Sequence, residues 1–333
     1  MTIKVVVTPR SFAATSPLPL KVLEERGYSI VRNQLERPLE VDELLELVRD
    51  ADALIVGIDK VTRKIIENAP RLQVISKYGV GVDNIDLEAA AEKGIIVTNT
   101  PDVNTEAVAD LAVGLMLAAA RRIPQADASM RQGQWKKFMG MSLFGKTVGI
   151  LGTGRIGRAV ARRLLGFSTK LLLYDVCPDP SLAAEVRGEY VGLEQILREA
   201  DYISVHLPLV PETRNLIGEA ELRLMKPNAV LINTSRGGIV EEKALARALR
   251  EGWIRAAALD VYAEEPLRGR ELLDLETTVL TPHIGAYTEE AVMRMGLEAA
   301  ENVISVLEGR RPKNVVSCYR THEGEANGGS ASR

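Results

Sequence analysis

Cysteine is almost absent from this chain: two residues, Cys177 and Cys318, among 333. So few thiols, so far apart, exclude a disulfide scaffold and a thiolate metal site, and they fit a reducing, cytoplasmic setting. Histidine is nearly as scarce, with only His206, His283 and His322, so imidazole chemistry has few places to reside. Charge of one sign is lacking too. Lys and Arg number 42 against 45 Asp and Glu, and the net charge of -3 offers no basic field to nucleic acid or an anionic membrane. The opening MTIKVVVTPRS holds an apolar run too short for the hydrophobic region of a signal peptide. The longest apolar stretch, residues 107–120, is shorter than the ~20 residues of a membrane span. Asp110 interrupts it, and it reads as a buried helix. No fixed-period repeat is apparent. The closing THEGEANGGSASR is polar and Gly/Ser-rich, and a disordered tail is expected over 321–333.

What is present is the profile of a globular protein of two domains, 46% hydrophobic and 26% charged. Strand-like runs (KVVVT, ALIVG, QVISK, GIIVT, TVGILG, KLLLYD, YISVHL, AVLINT and AAALDV) alternate with amphipathic segments such as VDELLELVRD, RIGRAVARRLLG and EKALARALREG. That order predicts an α/β fold of two doubly wound, Rossmann-like parallel-sheet domains. A new series of strands begins at KTVGILGTG, and the apolar helix from Thr105 to about 122 precedes it as a connector. The late helical pattern TEEAVMRMGLEAAENVISVLEG is long enough to return to the first domain. The expected division is therefore an outer domain of 1–100 plus 288–320 around a central domain of 101–287, with a ligand cleft between them.

GILGTGRIGRAV spaces Gly152, Gly154 and Gly157 as G-x-G-x-x-G, between an apolar strand and an amphipathic helix that opens at Arg155 and Ile156. In that context the first glycine permits a tight turn, the second lets backbone approach a pyrophosphate, and the third lets the helix pack close. The next strand ends at Asp175, whose carboxylate can accept from ribose hydroxyls and would repel a 2′-phosphate. No arginine lies in the VCPDP that follows, so NAD is expected rather than NADP.

Three later motifs complete the pattern. NTSRGGIV supplies Arg236, LDVYAEEP supplies Asp260 with the neighbouring Glu264 and Glu265, and LTPHIGAYT supplies His283 before Gly285. An arginine after a strand suits a planar carboxylate, and a histidine paired with a carboxylate suits proton transfer. From the residues alone either glutamate fits that pairing. With SKYGVGVDNID, TPDVNTEAVADLAVGLMLAAAR and HLPLVPETRNLI, the set resembles the D-isomer-specific 2-hydroxyacid dehydrogenases over about residues 3–316, and within them the short D-3-phosphoglycerate dehydrogenase-like branch.

The resemblance implies roles. Arg236 binds the carboxylate and carbonyl of a 2-keto acid, Glu265 (the glutamate before proline) holds the catalytic histidine, and His283 is the general acid/base. Asp260, Thr234, Ser235, Gly285 and Thr105 lie toward the nicotinamide of NAD. His206, Pro208 and Thr213 lie toward its adenosine and phosphates, His206 being alternatively structural. Tyr78, Gly79, Val80 and Gly81 form the substrate loop of the outer domain, with the amides of Val80 and Gly81 on the carboxylate, completed by domain closure. The branch places D-3-phosphoglycerate first among substrates, ahead of glycerate/glyoxylate, lactate-like or phosphonate-bearing acids. Where many phosphoglycerate dehydrogenases carry an Arg-Ser pair, however, this chain reads Gly57-Ile58, with Arg10, Lys60 and Lys77 the nearby cations. The resemblance also implies a homodimer, formed through the connector helix and the RQGQWKKF segment with Trp135. Two other readings share the fold. One is an NAD-sensing, corepressor-like binding protein. The other is formate dehydrogenase, which typically pairs its histidine with a glutamine where Glu265 stands here.

Overall fold

Runs of branched and aliphatic side chains form the strands of this protein, because such side chains fit a pleated, buried surface. The computed structural model describes residues 2–35 and 37–316; Cys318, His322 and the expected tail over 321–333 lie outside the described residues. The chain divides into two compact units, one formed by everything up to Asn104 together with the chain from Tyr287 on, the other by Thr105–Ala286.

The first unit alternates β1 (Lys4–Val7), α1 (Leu18–Glu24), β2 (Ser29–Arg32), α2 (Val41–Val48), β3 (Ala53–Val56), α3 (Arg63–Glu67), β4 (Val74–Lys77), α4 (Leu87–Glu92) and β5 (Ile96–Thr98). The second runs α5 (Thr105–Arg121), α6 (Ile123–Arg131), β6 (Thr147–Leu151), α7 (Arg155–Leu164), β7 (Lys170–Tyr174), α8 (Pro180–Val186), β8 (Glu189–Tyr190), α9 (Leu193–Glu199), β9 (Tyr202–Val205), α10 (Glu219–Leu224), β10 (Val230–Asn233), α11 (Glu242–Glu251), β11 (Ala256–Leu259), α12 (Arg270–Leu273) and β12 (Thr278–Leu280). Helix α13 (Glu289–Leu307) belongs to the first unit. Among the described residues the sheets have the orders β2-β1-β3-β4-β5 and β12-β11-β10-β9-β6-β7-β8. All neighbouring strands run parallel. The expected α/β class with two parallel sheets is what the chain adopts.

Every residue of β3, β4, β9, β10 and β11 is buried, as strands covered by helices on both faces must be. In the second unit, Ile203, Leu231 and Leu245 belong to one apolar layer, and Met116, Val160 and Ile232 to another. Each such side chain contributes roughly 1.5–3 kcal/mol by leaving water. Three strands escaped the sequence reading: β2, β8 and β12. All three are sheet edges. An edge strand is covered less, so its residues need be less apolar, and each of these is short and only partly buried.

The apolar stretch at 107–120 does form a helix, α5, which buries Ala109, Ala112 and Met116 in its own unit. Arg163 of α7 fastens it by ion pairs of 2.6 Å to both Glu106 and Asp110. Helix α13 starts at a Thr288 cap whose hydroxyl accepts from the Ala291 amide at 3.2 Å. It is anchored on β4 by the Ser76 hydroxyl, which donates to the Ala299 carbonyl. No helix of the described residues is long and apolar enough to cross a membrane. The two tryptophans contrast. Trp135 follows α6 and is 80% exposed, close in sequence to exposed Met139 and Phe144. Trp253, after α11, lies under the guanidinium of Arg223 at 3.6 Å and near that of Arg247 at 5.3 Å.

Candidate active site

Because the seven strands of the second unit are parallel, their carboxyl ends lie along one edge, where open α/β sheets bind ligands. Nearly all the singled-out residues of that unit follow these ends. The glycine loop follows β6, Asp175 β7, His206, Pro208 and Thr213 β9, Thr234, Ser235 and Arg236 β10, Asp260 and Glu265 β11, and His283 and Gly285 β12.

The glycine loop is shaped for a dinucleotide. Gly152 has φ +93°, and a Cβ there would lie 2.6 Å from the His206 carbonyl oxygen. A Cβ on Gly157 would lie 1.9 Å from the Gly152 carbonyl oxygen, so only glycine lets α7 sit this close to the loop. A Cβ on Gly154, by contrast, would meet nothing within 4 Å. The open space lies at the N-terminus of α7, which has no side-chain cap and presents amides and a positive dipole end to an anion. Arg155 and Ile156 begin the helix there. Asp175 accepts from the Thr153 amide at 2.7 Å, the Thr153 hydroxyl at 3.1 Å and the Cys177 amide at 2.9 Å. Burial raises its pKa, but these hydrogen bonds outweigh burial and hold the carboxyl below its ordinary range, so it stays charged. Arg158, one turn into α7, is paired with Asp179 at 2.7 Å. A charged Asp175 with Arg158 committed to Asp179 fits NAD and opposes a 2′-phosphate at this strand end.

Arg236 sits in a loop tied from below. Asn233, 2% exposed at the end of β10, accepts the Ser235 amide at 3.1 Å and the Ser235 hydroxyl at 2.8 Å. Its own amide donates to the Arg236 carbonyl at 2.9 Å. The Arg236 guanidinium folds back to donate to the Ser235 carbonyl at 2.7 Å. A Cβ on Gly237 would overlap the Tyr262 carbonyl at 1.9 Å, so this loop packs backbone to backbone on the turn that leads to Glu265.

It is Glu265, and not Glu264, that reaches the histidine. His283 Nδ1 and Glu265 Oε2 are 2.7 Å apart. The other oxygen of Glu265 accepts the Tyr262 amide at 3.1 Å. Glu264 faces Arg268 at 3.8 Å on the exposed side. A bond at Nδ1 leaves Nε2 as the outward nitrogen, and no described residue bonds it. The His283 backbone is left-handed, φ +53°, a conformation that a non-glycine residue holds only when its surroundings impose it. Asp260 supplies that constraint. It is 1% exposed and accepts the Thr281 hydroxyl at 2.6 Å, the Ile284 amide at 2.8 Å and the Gly285 amide at 2.7 Å, gripping the loop on both sides of the histidine. Burial pushes its carboxyl above the ordinary range against the pull of those hydrogen bonds.

The remaining residues are placed more loosely. Thr234 is buried with its hydroxyl unpaired among the described residues, an open polar position beside Arg236. Thr105 starts α5. The Thr213 hydroxyl is used in its own turn, donating to the Pro208 carbonyl at 2.6 Å and accepting the Val210 amide at 2.9 Å. His206 Nε2 lies 2.8 Å from the Ser204 hydroxyl, and its enclosed Nδ1 has no partner among the described residues. The residue retains some surface, but the ring is enclosed, and burial pushes its pKa down to about 3, so it stays neutral. In the first unit, the Tyr78 ring packs near Phe12, and its hydroxyl donates to the Val292 carbonyl at 3.0 Å. What Tyr78 can offer a ligand is therefore backbone. Gly79, at φ +138°, is held by Thr100, while the Val80 and Gly81 amides have no partner among the described residues.

Sequence reasoning gave no role to Asn233, Gly237, Tyr262 and Thr281, which lie inside the quoted motifs and shape the site from beneath its charged residues. For Asn233 the available signal was a polar residue ending an otherwise apolar strand, AVLIN.

Comparison with known proteins places this geometry. Residues 113–285 match the family model described as D-isomer specific 2-hydroxyacid dehydrogenase, NAD binding domain. A glyoxylate reductase from Thermococcus litoralis is 51% identical over 284 residues, covering 82% of this chain and 86% of that protein. A D-3-phosphoglycerate dehydrogenase from Methanocaldococcus jannaschii is 48% identical over 310 residues, 91% of this chain but 58% of that longer protein. The solved structure of the TT0316 protein from Thermus thermophilus has a TM-score of 0.86 at 41% identity, covering 94% of this chain and all of that one.

Proposed function

The chain belongs to the D-isomer specific 2-hydroxyacid dehydrogenase family, and from that membership we propose an NAD-dependent enzyme that interconverts a small 2-hydroxy acid and its 2-keto acid. The observation that carries the proposal is the 2.7 Å pair of His283 and Glu265, with Nε2 directed away from the carboxylate. NAD, when bound, supplies or accepts the hydride. Gly152, Gly154, Arg155, Ile156 and Gly157 would hold its phosphates and Asp175 its adenosine ribose. His206, Pro208 and Thr213 would wall the adenosine side. Thr105, Thr234, Ser235, Asp260 and Gly285 would lie toward the nicotinamide.

The chain's own groups do the rest. Arg236 binds the carboxylate and carbonyl oxygen of the keto acid through its planar fork and offsets the negative charge that develops on that oxygen. In reduction, His283 Nε2 gives a proton to the oxygen. In oxidation it takes the hydroxyl proton back. Glu265 holds the Nδ1 proton and stabilises the imidazolium, keeping Nε2 toward substrate.

The substrate we favour is an unphosphorylated acid of the glyoxylate or hydroxypyruvate kind, ahead of the 3-phosphohydroxypyruvate that the sequence motifs put first. Seven similar curated proteins, 41–51% identical, are named glyoxylate reductase. The β3 loop adds a physical reason. It carries exposed Ile58 above a buried Asp59 carboxylate, which accepts the Thr8 hydroxyl and the Leu39 amide. Lys77 donates to the Gly57 carbonyl and, at 2.8 Å, to Asn84. Where many phosphoglycerate dehydrogenases carry an Arg-Ser pair, Gly57 and Ile58 offer a phosphate no side-chain donor.

A panel of glyoxylate, hydroxypyruvate, pyruvate and 3-phosphohydroxypyruvate, followed by NADH and NADPH consumption, tests the proposal. Turnover of the unphosphorylated acids with NADH is expected. Activity confined to the phosphorylated acid would reverse the substrate choice, and no turnover of any acid would remove the enzyme reading. We further propose that exposed Trp135, Met139 and Phe144 meet a second copy of the chain. Light scattering that shows a monomer at micromolar concentration would refute it.

A further inference from the structure

We propose that Asn233 is a positioning residue for Arg236, the part of the site that sets affinity for the keto acid. The inference rests on the dehydrogenase reading. Asn233 is buried at the last position of β10, a strand otherwise made of Val, Leu and Ile. A buried carboxamide among aliphatic strands is costly unless its polar atoms are used. Among the described residues, every hydrogen bond of its side chain goes to one short loop. Oδ1 takes both the amide and the hydroxyl of Ser235, and Nδ2 holds the Arg236 carbonyl.

The connection continues into the guanidinium. Arg236 Nη1 donates to the Ser235 carbonyl, so the arginine head leans on the residue whose N–H and O–H Asn233 fixes. Ser235 is thus the link from a rigid strand end to a charged side chain. The Asn233 backbone completes the scaffold. Its carbonyl accepts the Asp260 amide at 3.0 Å, and Asp260 grips the histidine loop. Two adjacent strand ends therefore hold the two halves of the chemistry, Asn233 the arginine and Asp260 the histidine. A fork that must meet two oxygens at once is sensitive to its placement, and in catalysis a misplacement of about 1 Å can cost about 100-fold in rate.

Oxamate, a carboxylate analogue of a 2-keto acid that is not reduced, separates this role from a purely structural one. Its affinity for the enzyme–NADH complex is read by NADH fluorescence, independently of turnover. Asn233→Ala is expected to weaken oxamate about tenfold while NADH affinity changes less than about twofold. In an Arg236→Lys background the same change should move oxamate affinity by less than about twofold, because its route of action is gone. Asn233→Asp adds a second readout. Relative to the native protein it should recover oxamate binding as pH falls, since a neutral carboxyl can again donate to the Arg236 carbonyl. Equal losses in both arginine backgrounds, a parallel loss of NADH affinity, or no acid recovery of the Asp variant would overturn the proposal. Native protein that binds oxamate yet reduces no keto acid would instead overturn the dehydrogenase reading, and the clamp would still be measured.

Discussion

Two stretches of one sheet edge are built by opposite means. At β6 the loop takes its shape from what is missing: glycines let backbone meet backbone, and one of them leaves space for a ligand. At β10 to β12 the loops take their shape from buried polar side chains, Asn233 and Asp260, which hold arginine and histidine in place. The first arrangement suits a ligand whose phosphates are met by main-chain amides. The second suits chemistry that needs two side chains aimed at one small molecule. Cofactor affinity and substrate chemistry should therefore be separable by mutation.

The largest expected effect lies at the chemical end. His283→Ala should lower kcat by about 1,000-fold while NADH affinity, read by fluorescence, stays near native. Loss of NADH binding in that variant would join the two stretches and break the distinction. At the other end, Gly157→Ala should cost about 3 kcal/mol or more of stability, seen as a fall in Tm, because a Cβ would lie 1.9 Å from a backbone oxygen. Asp260→Asn comes next. One of its three donors then faces an NH2 group, so about 2 kcal/mol is lost, and kcat falls with little change in NADH affinity. Gly154→Ala should leave Tm unchanged and weaken NADH about tenfold, since its Cβ enters only open space. Equal Tm losses at positions 154 and 157 would mean that the loop is not divided as described.

The smallest effect at neutral pH belongs to His206→Gln. The folded ring titrates near 3 and the unfolded one near about 6.5. Between those values the unfolded chain binds more protons, so the native protein loses stability as pH falls through that window. The Gln variant should lose stability less steeply in an acid denaturation series. Parallel curves would show that the ring is hydrated and titrates normally.

What could be read from sequence follows the same division. A missing side chain at fixed spacing, as in Gly152, Gly154 and Gly157, is a sequence pattern in its own right. The Arg236, Glu265 and His283 motifs were readable because each has an ionisable residue beside glycine or proline. Asn233 and Asp260 were harder, because a polar residue after an apolar strand looks like an ordinary strand end. For Asp260 the resemblance implies a contact toward the cofactor, and no strand pattern discloses that its carboxylate also accepts from three groups of its own histidine loop. The edge strands β2, β8 and β12 were missed because weak burial asks little of their sequence. The pairing of His283 with Glu265 rather than Glu264 depends on where the turn after Tyr262 aims each side chain, which no spacing rule supplies.

The two tryptophans give the protein a built-in optical contrast. Trp135 stands in water, so its emission should be red-shifted and open to iodide, whereas Trp253 is shielded beneath a guanidinium. A partner covering the segment after α6 would move the first signal to the blue and leave the second in place. Association and unfolding can thus be told apart in one cuvette, without a label.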